Sequence, residues 1–84
     1  MSTKDKLIER FKRRPKDFTW EELVRLFGLF GFTVDNKGKT SGSRARFKNG
    51  NYVFYVHKPH PLNIIKESAL SKALDYLKNN GFID

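Results

Sequence analysis

The stretch SRARFKNGNYVFYVH, residues 43–57, decides the fold. Its first six residues alternate small or apolar side chains with basic ones, and its last six are rich in aromatic and β-branched side chains. The Asn49-Gly50-Asn51 sequence between them is typical of a hairpin turn. The stretch therefore predicts two antiparallel strands joined by a tight turn.

The turn leaves the register of this hairpin open, because either Asn49-Gly50 or Gly50-Asn51 can form a two-residue loop. Both registers place the same apolar side chains on one face: Ala45, Phe47, Tyr52, Phe54 and Val56. The other face is basic and aromatic, and carries Arg44, Arg46, Lys48, Val53, Tyr55 and His57. In the second register Arg44 lies opposite His57, and Arg46 lies opposite Tyr55.

Two helical patterns flank the strands. Thr19 and Glu22 have the spacing of a capping box, which predicts a helix start. The apolar stripe that follows consists of Trp20, Leu23, Val24, Phe27 and Phe30, and Gly31 is placed to end the helix.

A last helix is predicted from about Glu67 to Asn80, with a buried stripe of Leu70, Ala73, Leu74 and Leu77. Gly81 should end it, and Phe82 and Ile83 should fold back on it.

A short first strand, Phe32 to Asp35, completes the predicted elements. Three antiparallel strands cannot bury both faces alone, so the helices should pack on the apolar face. The predicted fold class is α+β: a two-layer sandwich with a three-stranded antiparallel sheet and helices on one face, in the order α-β-β-β-α after a short N-terminal helix. Double-stranded-RNA-binding domains have this layout.

The first 15 residues predict that additional helix, because Leu7, Ile8 and Phe11 form a short stripe among basic residues and Pro15 ends it. We interpret residues 1–15 as a basic helical extension of a single domain, residues 1–84. The extension is either a solvated cap or an additional contact for phosphates.

The composition limits the classes of partner. The 84 residues include 17 Lys and Arg against 9 Asp and Glu, a net charge of +8, which favours nucleic acid. A membrane surface is the rival, but no stretch approaches ~18 apolar residues. The N-terminus lacks the apolar region of a secretory signal, and the chain has no cysteine. A soluble, cytoplasmic protein is therefore expected.

The positive charge is concentrated in one part of the chain. No acidic residue lies between Asp35 and Glu67. The basic residues of that interval are Lys37, Lys39, Arg44, Arg46, Lys48, Lys58 and Lys66, together with both histidines. These residues predict phosphate binding, and Tyr55 among them offers a stacking surface for an unpaired base. The alternative interpretation is a solvated sheet face that keeps the domain soluble.

Several short motifs follow one another in a fixed order: Gly31-Phe32 at a helix end, Lys37-Gly38-Lys39, Gly42-Ser43 with Phe47 four residues later, an aromatic strand, and Pro59-His60-Pro61 before a last helix. Their order and spacing resemble those of the HicA toxins of bacterial toxin–antitoxin pairs. The resemblance covers about residues 17–83. It implies a double-stranded-RNA-binding-like fold, cleavage of messenger RNA, and a HicB-like antitoxin that covers the active surface. With the basic residues, it points to an RNA contact through Lys37, Lys39, Ser43, Arg44, Arg46, Lys48, Tyr55 and Lys58.

The family carries a catalytic histidine directly after the Gly-Ser pair, and this chain has Arg44 there. Arginine stays protonated and cannot act as a general base at neutral pH. His57 and His60 are the histidines that can move a proton, and His60 matches the family's second histidine. We therefore expect His57 to replace the missing histidine, with Arg44 stabilising charge. The alternatives are a solvent-bonded His57 and a His60 that only holds its loop.

No metal and no other cofactor is expected, because a third ligand for a site at His57 and His60 is hard to name. Three functions remain. The first is a metal-independent HicA-like endoribonuclease. The second is a non-catalytic module that binds RNA or an antitoxin. The third, a DNA-binding or structural domain, is the weakest, because no helix has a basic face suited to a major groove.

Overall fold

The structure, a computed structural model, describes residues 3–35, 44–59 and 62–83. Its elements are α1 (Thr3–Lys12), α2 (Trp20–Leu29), β1 (Thr33–Asp35), β2 (Arg44–Asn49), β3 (Tyr52–His57) and α3 (Glu67–Asn79). The predicted fold class and element order are confirmed. The first strand begins one residue later than predicted, because Phe32 is buried in the core instead.

The sheet is antiparallel with the strand order β1-β2-β3. The hairpin adopts the second of the two predicted registers, with Asn49 opposite Tyr52 and Arg44 opposite His57. Gly50 has a φ of +59°, a left-handed conformation that glycine adopts without a steric penalty. The two-residue turn is therefore Gly50-Asn51.

The inner face of the hairpin lies on aromatic side chains of α2. The Phe47 ring stacks on Phe27 at a centroid distance of 4.2 Å, and Trp20 lies 5.7 Å from Phe47. Ala45 and Val56 are buried beside them, as the alternation predicts. Tyr52 is on the same face but lies near the turn, where it remains 42% exposed and packs its ring edge against Phe82.

The capping box at the start of α2 is present. The Thr19 N–H donates to Glu22 Oε1 at 3.0 Å, and the Glu22 N–H donates to Thr19 Oγ1 at 3.2 Å. At the other end, Gly31 has a φ of +90°, and the Asn49 side-chain amide donates to the Phe30 carbonyl at 3.0 Å. This last bond ties the hairpin turn to the end of the helix.

Helix α3 covers the β3 side of the inner face, where Tyr76 lies 5.0 Å from Phe54. Its predicted stripe is buried, and Gly81 ends it with a φ of +82°. The chain before α3 pairs with the start of α2, because Ile65 N–H donates to the Phe18 carbonyl at 2.7 Å. In this segment Ile65 is buried, whereas Leu62 is 73% exposed.

Helix α1 belongs to the same hydrophobic core and packs against both α2 and α3. Phe11 is completely buried, and its ring lies 5.7 Å from Phe18. Arg10 extends from this helix to Glu22, where its Nε donates to Oε2 at 2.9 Å. The helix is therefore a structural part of the fold and not only a solvated cap.

We expect Phe11→Ala to destabilise the whole domain, because it removes a fully buried ring from a small core. The loss should be about 3 kcal/mol in the free energy of unfolding, measured by urea denaturation. The exposed Lys6→Ala on the same helix is the control and should change stability by less than about 0.5 kcal/mol. If Phe11→Ala had the same free energy of unfolding as the wild type, α1 would be dispensable for the stability of the domain.

The Arg10–Glu22 pair predicts a pH dependence of stability. The Arg10 guanidinium, followed by the Thr19 N–H, lowers the pKa of Glu22 against the opposing effect of burial. The resulting stabilisation is complete above the ordinary pKa of about 4.5 and is lost as the pH falls through the lower folded pKa. Glu22→Gln should therefore be less stable than wild type at pH 7, by up to about 1 kcal/mol, and nearly equal in strong acid. A stability difference independent of pH would contradict this prediction.

Candidate nucleic-acid interface

The face of the sheet opposite the helices, here called the outer face, carries the predicted basic and aromatic residues. Its members are Thr33 and Asp35 from β1, Arg44, Arg46 and Lys48 from β2, and Val53, Tyr55 and His57 from β3. Lys48 and His57 are exposed, and Tyr55 is 57% exposed. A ligand can therefore reach this face directly.

The strand register arranges the outer face in three rows that run across the strands. The row nearest the turn contains Thr33, Lys48 and Val53, the middle row contains Asp35, Arg46 and Tyr55, and the far row contains Arg44 and His57. Successive rows are about 7 Å apart, because each step is two residues along a strand. This spacing is similar to the distance between neighbouring phosphates of a nucleic-acid strand.

The middle row is an ion-pair network. Arg46 donates to the Asp35 carboxylate, and both side chains are partly exposed. The Asp35 carboxylate, followed by the Tyr55 hydroxyl, raises the pKa of Arg46 above its ordinary value. Arg46 is thus a fixed cation whose charge is already partly balanced, which differs from the sequence interpretation of a purely basic face.

The far row places an arginine directly opposite a histidine. Arg44 and His57 are partners in the antiparallel ladder, where they form a non-hydrogen-bonded pair of the main chain. His57 is the last residue of β3 and is exposed. The far row thus consists of an arginine and an exposed histidine on neighbouring strands.

The other predicted site residues have different outcomes. Lys48 is in the row nearest the turn, and Lys58 follows β3 and is exposed. The predicted site residues outside the described residues are Lys37, Lys39, Ser43 and His60. Within residues 3–35, 44–59 and 62–83, no group of three His, Asp or Glu side chains is arranged to hold a metal ion.

Asp35 is the site residue that sequence reasoning missed. In the sequence analysis Asp35 only marked the start of the stretch that has no acidic residue. The residues that pair with its strand were not predicted. The alternation of Thr33, Val34 and Asp35 was the available signal, because pairing Val34 with Phe47 places Asp35 beside Arg46 on the outer face. Choosing that pairing requires the tertiary packing of the inner face.

A model of the family described as HicA toxin of bacterial toxin-antitoxin matches residues 20–82. The chain belongs to the HicA toxin family. No curated protein and no solved structure is significantly similar to it. None of the helices in the described part of the chain is both long and apolar enough to cross a membrane.

The family match begins at the first residue of α2 and ends just after α3. It therefore includes all three strands and the outer face of this HicA-family chain. Helix α1 lies before the matched region, although Phe11 contributes to the core. The three-row surface is thus part of the region that defines family membership.

The balance between Asp35 and Arg46 predicts the effect of one substitution. Asp35→Asn removes the countercharge, so the affinity for a single-stranded RNA oligonucleotide should rise about threefold or more at low salt. The affinity should also fall more steeply with salt concentration, by about the slope that one additional phosphate contact contributes. Filter binding or fluorescence anisotropy measures both quantities. The exposed Asp75→Asn on α3 makes the same change in net charge away from the outer face and should have a smaller effect. Equal effects of the two variants would contradict a local role for Asp35.

Proposed function

We propose that this HicA-family protein is a cytoplasmic endoribonuclease toxin that binds messenger RNA on the outer face and cleaves it without a metal. The far row is the observation that supports this most directly, because it brings His57 opposite Arg44. The family's usual histidine position is thus taken by an arginine, and an exposed histidine stands on the neighbouring strand.

Binding would use the outer face in two ways. Lys48 and Arg46 attract the phosphate backbone without reading sequence, so affinity should fall steeply with salt. The exposed Tyr55 ring offers a surface on which an unpaired base can stack. A single-stranded region of RNA satisfies both requirements, because its bases are available for stacking.

Cleavage would then follow the chemistry of a 2′-hydroxyl attack. Neutral His57 accepts the proton of the 2′-hydroxyl, and the 2′-oxygen forms a bond to phosphorus. The bond from phosphorus to the 5′-oxygen breaks, and that oxygen takes a proton from an acid, for which we propose His60. The products are a 2′,3′-cyclic phosphate and a 5′-hydroxyl end, and no redox partner is needed.

The arginines contribute charge and not proton transfer. Arg44 remains protonated, so we assign to it the stabilisation of the negative charge that develops on the phosphate oxygens. Arg46 is held by Asp35 and adds a positioned positive charge one row away. General acid–base catalysis by histidine is worth about 10²–10⁴ in rate, so removal of His57 should be clearly measurable.

The neutralising partner would be a HicB-like antitoxin. A basic outer face requires an acidic, complementary surface, and a protein that covers the far row also blocks RNA access. Co-expression of such an antitoxin should therefore relieve growth arrest caused by this HicA-family protein.

His57→Ala is the decisive test. It should lower the rate of cleavage of a labelled RNA at least about 100-fold and abolish growth arrest, while RNA affinity changes less than about threefold. Lys48→Ala, which removes a charge two rows away, should weaken binding and leave cleavage at saturating protein nearly unchanged. Cleavage by the wild type should persist in chelator.

Two results would count against the proposal. Full cleavage and growth arrest by His57→Ala would remove His57 from the mechanism. Wild-type protein that binds RNA with a steep salt dependence and leaves it intact would favour the non-catalytic binding module.

A further inference from the structure

A groove lies between the edge of β3 and the first half of α3. One wall is formed by four consecutive residues of β3, Phe54 to His57, and the other by residues of α3 and the chain leading into it. Successive residues of a strand point to opposite faces of the sheet. A wall made of four residues in a row is therefore the main-chain edge of the strand.

The hairpin register determines which peptide groups this edge presents. In a two-residue hairpin Asn49 and Tyr52 form a hydrogen-bonded pair, so the main-chain groups of Val53, Tyr55 and His57 point away from β2. The Tyr76 side chain lies beside the main chain of Val53. This contact covers the edge at the turn end of β3, and the groove lies along the remainder.

The charge and polarity of the groove are distinctive. Its apolar floor is formed by Phe54, Ile64, Ile65 and Ala69, and its rim carries Lys58, Lys66 and Lys72 in addition to His57. No acidic side chain is among the described residues that line it. Leu62, which is 73% exposed, adds an apolar side chain at the rim.

We propose that this groove binds an extended acidic segment of a partner protein, which adds to the sheet as a fourth strand beside β3. Strand addition obtains affinity from main-chain hydrogen bonds and specificity from alternate side chains. The complementary segment alternates acidic residues, which pair with the rim lysines, with apolar residues, which cover the floor. The proposal goes beyond the proposed function, because it concerns the main-chain edge of β3 and does not depend on RNA cleavage, although the groove meets the outer face at His57.

The apolar floor favours protein over RNA as the occupant. A nucleic-acid backbone would use the lysines and leave Leu62, Ile64 and Ala69 without an additional apolar partner. The groove also runs for only about four strand residues, about 14 Å, which suits a short peptide strand. RNA in the groove is the competing outcome that the experiment must separate.

The probe is a blocked peptide of about eight residues that alternates Glu with Val, added to the full chain. We expect saturable binding by fluorescence anisotropy, shifted amide resonances in β3 and at Ala69, and at least about tenfold slower amide exchange at His57. Lys66→Glu combined with Lys72→Glu should weaken binding at least about tenfold, because two attractions become repulsions. Lys78→Glu, an exposed lysine of the same helix outside the groove, should change it less than about twofold.

Two control ligands identify the mode of binding. The same peptide methylated at every internal amide nitrogen keeps its charges but loses its N–H donors, and should bind much more weakly. Replacing Glu with Lys in the peptide should abolish binding. The groove variants should retain their thermal unfolding temperature, and their RNA cleavage is assayed separately, so that failure here is distinguishable from failure of the proposed function.

Three results would overturn the proposal. One is the absence of saturable binding up to about 1 mM peptide. The second is equal affinity of the methylated peptide, which would show attraction by charge without strand pairing. The third is a single-stranded oligouridylate that shifts the groove resonances when the acidic peptide does not, which would assign the groove to RNA.

Discussion

The stacking of Phe47 on Phe27 is the contact on which the arrangement of the molecule depends. Phe47 is the central inward residue of the middle strand, and its ring also meets Trp20 at the start of α2. A slip of one residue would turn every side chain of β2 to the opposite face. Burying this ring therefore fixes which residues form the core and, by alternation, which form the outer face.

The sequence was informative wherever a local period or a local hydrogen bond determines structure. The capping box of Thr19 and Glu22, the stripe of α3 and the two faces of the hairpin were all predictable, because each depends on residues within a few positions of one another. The register of β1 was not predictable, since it depends on how Val34 meets Phe47. For the same reason the Asp35–Arg46 pair was missed.

The surface features were likewise predictable only where they depend on residues close together in the sequence. The sequence predicted that Arg44, Arg46, Lys48, Tyr55 and His57 share a face, and the strand pairing confirms it. Alternation alone could not reveal the groove, because its walls come from β3 and α3, which are separate in sequence and meet only in the packed core.

The Tyr76 side chain at Val53 also affects how the molecule behaves in concentrated solution. A three-stranded sheet has two edges, and exposed edges can pair with other copies into growing sheets. Here β1 is only three residues long, and the edge of β3 is covered at one end by Tyr76 and bordered at the other by lysines. A second copy of a chain with a net charge of +8 is repelled from that border, so the fold resists self-aggregation without covering its edge completely.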